Sequence, residues 1–232
     1  METKSIMIVG VGGQGTLLAS RILGSVLGTA GYEVKVSEVH GMSQRGGSVV
    51  TYIRYGEKVY SPVIEKGQAD MIVSFEQLEA ARYVSYLKKG GTIITNTQKI
   101  SPMPVITGAA EYPDGIIDKI KAMGINIIAV DALSAAEKAG SARAVNVVLM
   151  GVLSKVLPGI ELDAWKKAVE KCKTHAEKAK VVELDELYWF LEVKPRTETR
   201  ENVYIMTLVS RTPRQILGHM VSLDKSSATI QR

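Results

Sequence analysis

The sequence predicts an α/β fold, a three-layer α/β/α sandwich with a mostly parallel sheet that includes an antiparallel hairpin. Short apolar runs, typical of strands buried on both faces, alternate with amphipathic stretches that are typical of helices. The first run, residues 6–9, enters a glycine-rich turn at residues 10–15 and then a helix, as in the opening of a parallel sheet. Residues 48–55 instead alternate and are rich in β-formers, which predicts the hairpin.

The chain begins with a predicted strand at residues 5–10, a helix at 16–30 and a strand at 33–38. These three elements predict a right-handed βαβ unit. A polar, glycine-rich connection at residues 39–47 follows the second strand. It therefore lies at the carboxyl edge of the predicted sheet, where ligands of open α/β sheets bind.

The predicted hairpin joins the strand at 48–55 to a short second arm at 58–61 through a tight turn at Gly56 and Glu57. Pro62 limits the second arm to a short segment or a sheet edge. The later elements follow from the same apolar patterns. They are strands at 69–74, 92–96 and 126–130, and helices at 75–87, 116–123, 142–156, 162–173 and 175–191.

Three local signals refine these elements. The Lys-Lys-Gly-Gly segment at 88–91 is predicted to end the helix at 75–87, because cations and glycine favour a helix C-terminus. Residues 97–114 contain several prolines and predict an irregular connection with one short strand near Val105. Asp131 is predicted to cap the start of a short helix.

At 232 residues and 46% hydrophobic content, the chain predicts one α/β domain at 1–193 and a C-terminal extension at 194–232. The extension is expected to be weakly ordered, with a strand at 205–209 that has no evident partner. No run approaches the roughly 18 apolar residues of a membrane span. The N-terminus also lacks the pattern of a secretory leader, so a cytoplasmic protein without membrane contact is expected.

Cys172 is the only cysteine, which excludes an intrachain disulfide and a four-thiolate cluster held by one chain. The three histidines, His40, His175 and His219, are widely separated, so no metal site is expected. The net charge of +5 is not gathered into a basic block with aromatic residues. This pattern argues against nucleic acid as a partner.

The glycine-rich turn has two interpretations. Gly10, Gly12 and Gly15 fit the dinucleotide-binding pattern G-x-G-x-x-G, and Glu38 lies about where an acidic residue would hold the ribose. The turn would then bind NAD(P) or FAD through the N-terminus of the following helix. In the structural interpretation, the glycines only allow a tight strand-to-helix turn. The pattern alone leaves both open.

Five segments occur in a fixed order along the chain. They are Gly-Val-Gly-Gly-Gln-Gly at 10–15, Glu-Val-His-Gly-Met-Ser-Gln-Arg-Gly-Gly at 38–47, Ala-Asp-Met-Ile-Val-Ser at 69–74, Leu-Lys-Lys-Gly-Gly at 87–91 and Asn-Val-Val-Leu-Met-Gly at 146–151. Together they resemble the gamma-type subunit of 2-oxoacid:ferredoxin oxidoreductases, over residues 5–190. The histidine-containing second segment is most similar to the beta subunits of indolepyruvate ferredoxin oxidoreductases.

The resemblance implies a subunit, inactive alone, of a heteromeric oxidoreductase of aromatic amino acid catabolism. Such an enzyme oxidatively decarboxylates an aryl-pyruvate, here indolepyruvate, to its acyl-CoA, with coenzyme A as co-substrate. The resemblance also implies an alpha subunit as partner, which holds thiamine diphosphate, magnesium and [4Fe-4S] clusters and reduces ferredoxin. This chain lacks the Gly-Asp-Gly start of the thiamine diphosphate motif and is expected to bind no cofactor alone. The alternatives are a self-sufficient NAD(P)- or FAD-binding oxidoreductase and a purely scaffolding subunit.

Two residues are candidates for a catalytic role. Arg45, with the bare amides of Gly46 and Gly47, is suited to a carboxylate or phosphate of the 2-oxoacid or coenzyme A. The alternative is a surface arginine that contacts the partner subunit. His40 is suited to acid–base chemistry because its ordinary pKa is near neutrality. The alternative for His40 is a simple backbone hydrogen bond.

The candidate ligand-binding or interface residues belong to the two glycine-rich segments. They are Gly10, Gly12, Gly13, Gln14, Gly15, Gly46 and Gly47. Gln14 either orients a ligand or caps the turn. Asn146 lies on an otherwise apolar helix and is expected to bond to the turn at 10–15, because a buried amide needs partners. Cys172 lies among lysines and is interpreted as incidental.

Overall fold

The structure is a computed structural model of the 232-residue chain. It describes the backbone of residues 2–40, 46–178, 182–189, 203–211 and 214–222, and the side chains of residues 2–39 and 46–172. The chain forms two compact units, Met1–Cys172 and Lys173–Arg232. Each unit is described by itself below.

The first unit alternates strands and helices as the sequence predicts. In chain order its elements are β1 (Lys4–Val11), α1 (Thr16–Thr29), β2 (Glu33–His40), β3 (Ser48–Gly56), β4 (Ala69–Ser74), α2 (Gln77–Tyr83), β5 (Leu87–Asn96), α3 (Met103–Ile106), α4 (Ile116–Ala122), β6 (Asn126–Val130), α5 (Ala132–Lys138), α6 (Val145–Val156) and α7 (Leu162–Lys178), which runs into the second unit. Short 3-10 turns at Val84–Tyr86 and Ala142–Ala144 precede β5 and α6.

Six strands form one mixed sheet in the order β2-β3-β1-β4-β5-β6. β1, β4, β5 and β6 are parallel neighbours, while β3 is antiparallel to both β1 and β2. β1 and β2 therefore point the same way, as in the predicted βαβ unit, but β3 separates them. The mostly parallel sheet with one antiparallel hairpin is confirmed.

The hairpin is formed by different strands from those predicted. β3 pairs with β2 on one side and with β1 on the other, from Lys4 opposite Tyr55 to Val11 opposite Ser48. No hydrogen-bonding edge of β3 is left for a second arm at residues 58–61, and that segment is not a strand. The predicted 58–61 arm is wrong because a distant strand occupies its place.

The hydrophobic core lies on both faces of the sheet, which confirms three layers. Ile6 and Ile8 of β1 pack with α1, α5, α6 and α7, while Met7 and Val9 pack with α2 and α4. The alternation follows from the strand period of two, since successive side chains point to opposite faces. Both faces of β1 are buried, as the continuous apolar run predicts.

The Lys-Lys-Gly-Gly segment does not end a helix. α2 ends at Tyr83, and residues 88–91 belong to β5. The register between β4 and β5 moves from Ala69–Leu87 to Met71–Thr92, so β5 contains three more residues than β4 over this stretch. The segment is therefore a bulge, and Gly90 adopts a φ of 80° within it.

Val105 lies in the single-turn helix α3 and not in the predicted short strand. Pro102 is the N-cap residue of this turn, and Pro104 lies in its first positions. Proline suits these positions because the first helical amides have no partner within the helix. Asp131 caps α5 as predicted, since its Oδ1 accepts a hydrogen bond of 3.0 Å from the amide of Ser134.

The second unit contains the end of α7 and an antiparallel sheet in the order β7-β8-β9. Its strands are β7 (Val182–Trp189), β8 (Val203–Arg211) and β9 (Arg214–Ser222). The helix predicted at 162–173 is confirmed as part of α7, which continues to Lys178. The helix predicted at 175–191 is wrong over Val182–Trp189, which forms β7 and pairs with β8. β8 contains the strand predicted at 205–209, and it pairs with β7 and β9, so the expectation that this strand has no partner is wrong. The domain boundary predicted at 193/194 lies outside the described residues, and the order of the extension stays a prediction.

None of the helices in the described part of the chain is both long and apolar enough to cross a lipid bilayer.

Candidate site at the carboxyl edge of the sheet

The glycine-rich turn connects the carboxyl end of β1 to α1 and needs glycine for two reasons. Gly13 and Gly15 have φ angles of 100° and 84°, in the region that side chains with a Cβ rarely adopt. Gly10 needs space instead, because a Cβ there would lie 3.0 Å from the Cβ of Phe75 and 3.0 Å from Oε1 of Gln14. The turn is thus packed against the residue that follows β4.

Gln14 has both ends of its side-chain amide bonded within the chain. Its Oε1 accepts a hydrogen bond of 2.8 Å from the amide of Val11. Its Nε2 donates to the carbonyl of Phe75 at 3.1 Å and lies 3.5 Å from Oε1 of Gln98. Gln14 therefore joins the ends of three neighbouring strands, which supports the structural interpretation of this residue.

Asn96 and Asn146 extend the same polar network. Asn96 is fully buried at the end of β5; its Nδ2 donates to the carbonyl of Phe75 at 3.2 Å, and its Oδ1 accepts from the amide of Ala132 at 3.1 Å. Nδ2 of Asn146 reaches the carbonyl of Gly15 at 3.5 Å, which confirms the predicted contact with the turn. Three loops at the carboxyl edge are therefore held by buried side-chain amides.

The two glycine-rich segments lie side by side. The amide of Gly12 donates to the carbonyl of Gly47 at 2.8 Å, and the amide of Gly46 lies 3.4 Å from the carbonyl of Gly12. These contacts extend the pairing of β1 with β3 beyond the last register pair, Val11 with Ser48. The backbone of His40 ends β2, while its side chain and all of Arg45 lie outside the described residues. The structure thus brings the predicted glycines together.

A pair of buried glutamates was not predicted from the sequence. Glu79 is 4% exposed; it accepts a hydrogen bond from Oγ of Ser48, and its Oε1 lies 3.1 Å from Nε of Arg82. Glu76 is 1% exposed and caps α2 by accepting from the amide of Glu79 at 2.9 Å. A signal did exist, because two acidic residues three apart directly follow a buried strand, as in a capping box.

The glutamates fix three segments against one another. Glu76 also accepts from the amide of Ile100 at 3.2 Å and from the hydroxyl of Tyr112, both in the connection after β5. Burial raises the pKa of Tyr112, and the hydrogen bond to Glu76 raises it further. Burial also raises the pKa of Glu79, against the lowering by Ser48 and Arg82, and the charge of Glu76 raises it again.

We expect the substitution Glu79→Gln to remove one source of pH dependence from the stability of the fold. Because the pKa of Glu79 is raised above 4.5, the folded chain holds a proton that the unfolded chain releases. The free energy of unfolding therefore falls as the pH rises from about 4.5 through the raised pKa. Urea denaturation between pH 4 and pH 7 should show a smaller fall in the variant. The exposed control Glu137→Gln should retain the wild-type profile, and equal profiles for all three proteins would contradict the assignment.

The described residues contain no group of three or more His, Cys, Asp or Glu side chains arranged to hold a metal ion. The carboxylates at the carboxyl edge are instead engaged by hydroxyl, amide and guanidinium groups of the chain. The geometry therefore suits a rigid platform for a ligand or partner, with its own polar groups largely satisfied.

Comparison with known proteins gives a consistent result. The family described as pyruvate ferredoxin/flavodoxin oxidoreductase matches residues 5–184 of the chain. The chain is 48% identical over 167 residues to the indolepyruvate oxidoreductase subunit IorB of Thermococcus kodakarensis. That alignment covers 70% of this chain and 81% of the relative.

Solved structures share the fold. The gamma subunit of keto/oxoacid ferredoxin oxidoreductase from Geobacter sulfurreducens superposes with a TM-score of 0.54 at 21% identity, over 75% of this chain and 90% of that chain. A 2-oxoglutarate:ferredoxin oxidoreductase from Magnetococcus marinus, solved with 2-oxoglutarate, coenzyme A and succinyl-CoA bound, superposes with a TM-score of 0.56 at 18% identity. Here the alignment covers 77% of this chain and 28% of that one.

Proposed function

The chain belongs to the pyruvate ferredoxin/flavodoxin oxidoreductase family, and we propose that it is the subunit of an indolepyruvate:ferredoxin oxidoreductase that bears no iron–sulfur cluster. The observation that carries this proposal is the 48% identity with an indolepyruvate oxidoreductase subunit over most of both chains. The complete enzyme would oxidatively decarboxylate indolepyruvate to its acyl-CoA and pass the electrons to ferredoxin.

The cofactors of such an enzyme do not fit the residues of this chain. A [4Fe-4S] cluster takes four thiolates, and Cys172 is the only cysteine. The described residues also contain no metal-binding group, and the Gly-Asp-Gly start of a thiamine diphosphate motif is missing from the sequence. We therefore assign thiamine diphosphate, magnesium and the clusters to an alpha subunit, and we derive no chemical step of this chain through them.

The contribution of this chain would be to shape the site from its carboxyl edge. The bonds of Gly12 to Gly46 and Gly47 hold the end of the connection 41–47 against the glycine-rich turn. Arg45 immediately precedes this anchored end in the sequence, and a guanidinium fork is suited to a carboxylate or phosphate of the 2-oxoacid or coenzyme A. A solved relative binds both kinds of molecule, which supports this assignment.

Exposed apolar side chains of α1 and of the edge strand β2 support packing against the alpha subunit. Leu17 and Leu18, in the first turn of α1, are 41% and 38% exposed. Val36 and Val39, on the edge strand β2, are 45% and 49% exposed. Because subunit interfaces bury apolar side chains and open strand edges favour pairing, these residues would be covered in the complex.

Co-expression with the alpha subunit tests the proposal. Under anaerobic conditions, the purified complex should reduce ferredoxin in the presence of indolepyruvate and coenzyme A, and neither subunit should do so alone. A panel of other 2-oxoacids would then define specificity. Activity of this chain without its partner, or tight binding of NAD(H), NADP(H) or FAD to it, would instead support a self-sufficient oxidoreductase.

Substituting Arg45 in the complex should separate a ligand-binding subunit from a scaffold. Arg45→Lys keeps the charge but loses the planar fork, and we expect the KM for coenzyme A or indolepyruvate to rise about tenfold. The charge-preserving change Lys119→Arg, at an exposed position of α4 on the other face of the sheet, should leave the kinetics unchanged. Parallel measurements on His40→Gln test its proposed acid–base role through kcat and its pH profile. Unchanged kinetics in both variants, with the complex intact, would favour the scaffold.

A further inference from the structure

A second concave region lies at the opposite end of the same sheet. It is a pocket of about 310 Å³ at the amino edge, near the lower limit of typical ligand sites. Its floor is formed by Ile6, Met71 and Thr92, which are register partners on the adjacent strands β1, β4 and β5. The connection between α6 and α7 covers one side through Leu157 and Ile160.

The bulge in β5 places two consecutive lysines at the lining of this pocket. Successive side chains of a regular strand point to opposite faces, but Lys88 and Lys89 both line the pocket. The three additional residues of β5 remove the regular alternation at this point. A Cβ on Gly91 would lie 2.9 Å from the carbonyl oxygen of Asp70, so the close approach of β4 and β5 depends on glycine.

The charge of the pocket is net positive. Lys4, Lys88 and Lys89 line it together with a single carboxylate, Asp70. Oδ1 of Asp70 lies 3.6 Å from Nζ of both Lys4 and Lys88, and its Oδ2 accepts from the amide of Ser5 at 2.9 Å. Lys89 has no carboxylate within ion-pair distance among the described residues. The carboxylate is thus engaged on both oxygens, while positive charge remains.

Two aromatic rings and a phenol hydroxyl complete the lining. Tyr32 and Tyr55 pack edge to face, with centroids 5.3 Å apart. Tyr55 is only 6% exposed, and its hydroxyl is not among the fully buried polar atoms of the described residues, so it can be reached from the pocket that Tyr55 lines. The phenol is therefore a hydrogen-bond donor that the acceptor group of a ligand in the pocket can contact. Burial raises the pKa of Tyr55 to about 12, so the phenol remains a donor at neutral pH.

We propose that this pocket binds a small aromatic anion, whose carboxylate or phosphate contacts Lys89 and the hydroxyl of Tyr55 and whose ring packs against the tyrosines and the apolar floor. Ile6 on the pocket floor precedes Gly12 of the glycine-rich turn by six residues along β1, so about 20 Å separate the two at about 3.3 Å per residue. The pocket is therefore a second site, distinct from the carboxyl edge.

Calorimetric titration of the full-length chain with four probes tests the site. Phenyl phosphate and benzoate share a ring and differ in the anionic group, so binding of either supports the site and identifies its anion. Benzylamine, with the same ring and a positive charge, should not bind. Inorganic phosphate should bind at least about tenfold more weakly than phenyl phosphate. Equal affinity would mean an adventitious ion only and would overturn the proposal, as would binding of benzylamine or of no probe.

Variants locate the binding. Tyr55→Phe keeps the ring and removes only the hydroxyl, and it should weaken binding of the anionic probe about tenfold. Lys89→Ala removes an exposed charge and should weaken it about fivefold. Lys119→Ala, on α4 across the sheet, should leave the affinity unchanged. Circular dichroism checks that each variant is folded. If Tyr55→Phe does not fold, the affinity of the anionic probe for Lys89→Ala alone tests the proposal. Unchanged binding in the folded pocket variants would overturn the proposal.

Discussion

Replacing Asn96 by leucine should lower the free energy of unfolding of the first unit by about 3 kcal/mol. Leucine has a similar size but cannot accept the hydrogen bond from the amide of Ala132, which would remain buried without its partner. A buried donor left unpaired costs about 1–3 kcal/mol. The bonds from Nδ2 to the carbonyl of Phe75 and to Gln98 are lost as well, although Gln14 still donates to Phe75.

The matched control is Asn126→Leu on the neighbouring strand β6. Asn126 is exposed, and its Nδ2 bonds only to the side chain of Thr92, so the change should stay within about 0.5 kcal/mol. Urea denaturation followed by the fluorescence of Trp165, in a Trp189→Phe background, reports on the first unit. Equal losses at the two positions would show that the buried amide network does not stabilise the carboxyl edge.

The buried strands of the sheet could be predicted because each is a short apolar run. β1 and β4 contain consecutive buried residues, as their apolar runs predict. β6 has the same kind of apolar run and is correctly predicted as a strand, although it lies at the sheet edge and none of its residues is buried. The helix N-cap at Asp131 and the contact of Asn146 with the turn were also predictable. A polar residue at a helix start, or alone on an apolar helix, needs a partner close by.

The errors arise where distant partners decide between two local possibilities. A turn at Gly56 and Glu57 is compatible with a hairpin, but β1 takes the edge of β3 that the second arm needs. Lysines followed by glycines suit a helix end or a bulge, and pairing with β4 selects the bulge. Leu184, Leu187 and Tyr188 have helical spacing, yet their segment pairs with β8. In each case the strand that decides the structure is absent from the short stretch of sequence on which the prediction was based.

The parts of the site that depend on a local pattern were predicted, and the parts that depend on distant strands were missed. The glycine-rich turn is local and was evident from its spacing. The bond between Ser48 and Glu79 depends on β3 lying beside β1, which brings the start of β3 to the carboxyl edge. The pocket at the amino edge likewise needs three strands and a bulge in register. Both features depend on the order of the strands in the sheet, and no local pattern in the sequence predicts that order.

Gly15→Ala should destabilise the first unit by about 2–4 kcal/mol. The φ of Gly15 is 84°, and a residue with a Cβ pays about 1–2 kcal/mol in the left-handed region. The new Cβ would also lie 2.7 Å from Nδ2 of Asn146, whose side chain is buried on α6. Asn146 must then move away from the carbonyl of Gly15, which loses their contact and opens the packing of α1 against α6.

Gly13→Ala separates the two costs, because Gly13 has a φ of 100° but no atom within 4 Å of its ideal Cβ. It should lose only the backbone contribution of about 1–2 kcal/mol. Adding Asn146→Ala to Gly15→Ala should recover the steric part, so that the double variant is less destabilised than the sum of the single changes. If Gly13→Ala and Gly15→Ala are equally destabilised, or if the double variant is additive, Asn146 does not set the position of the turn. The contact that fixes the glycine-rich segment against α6 would then have to lie elsewhere.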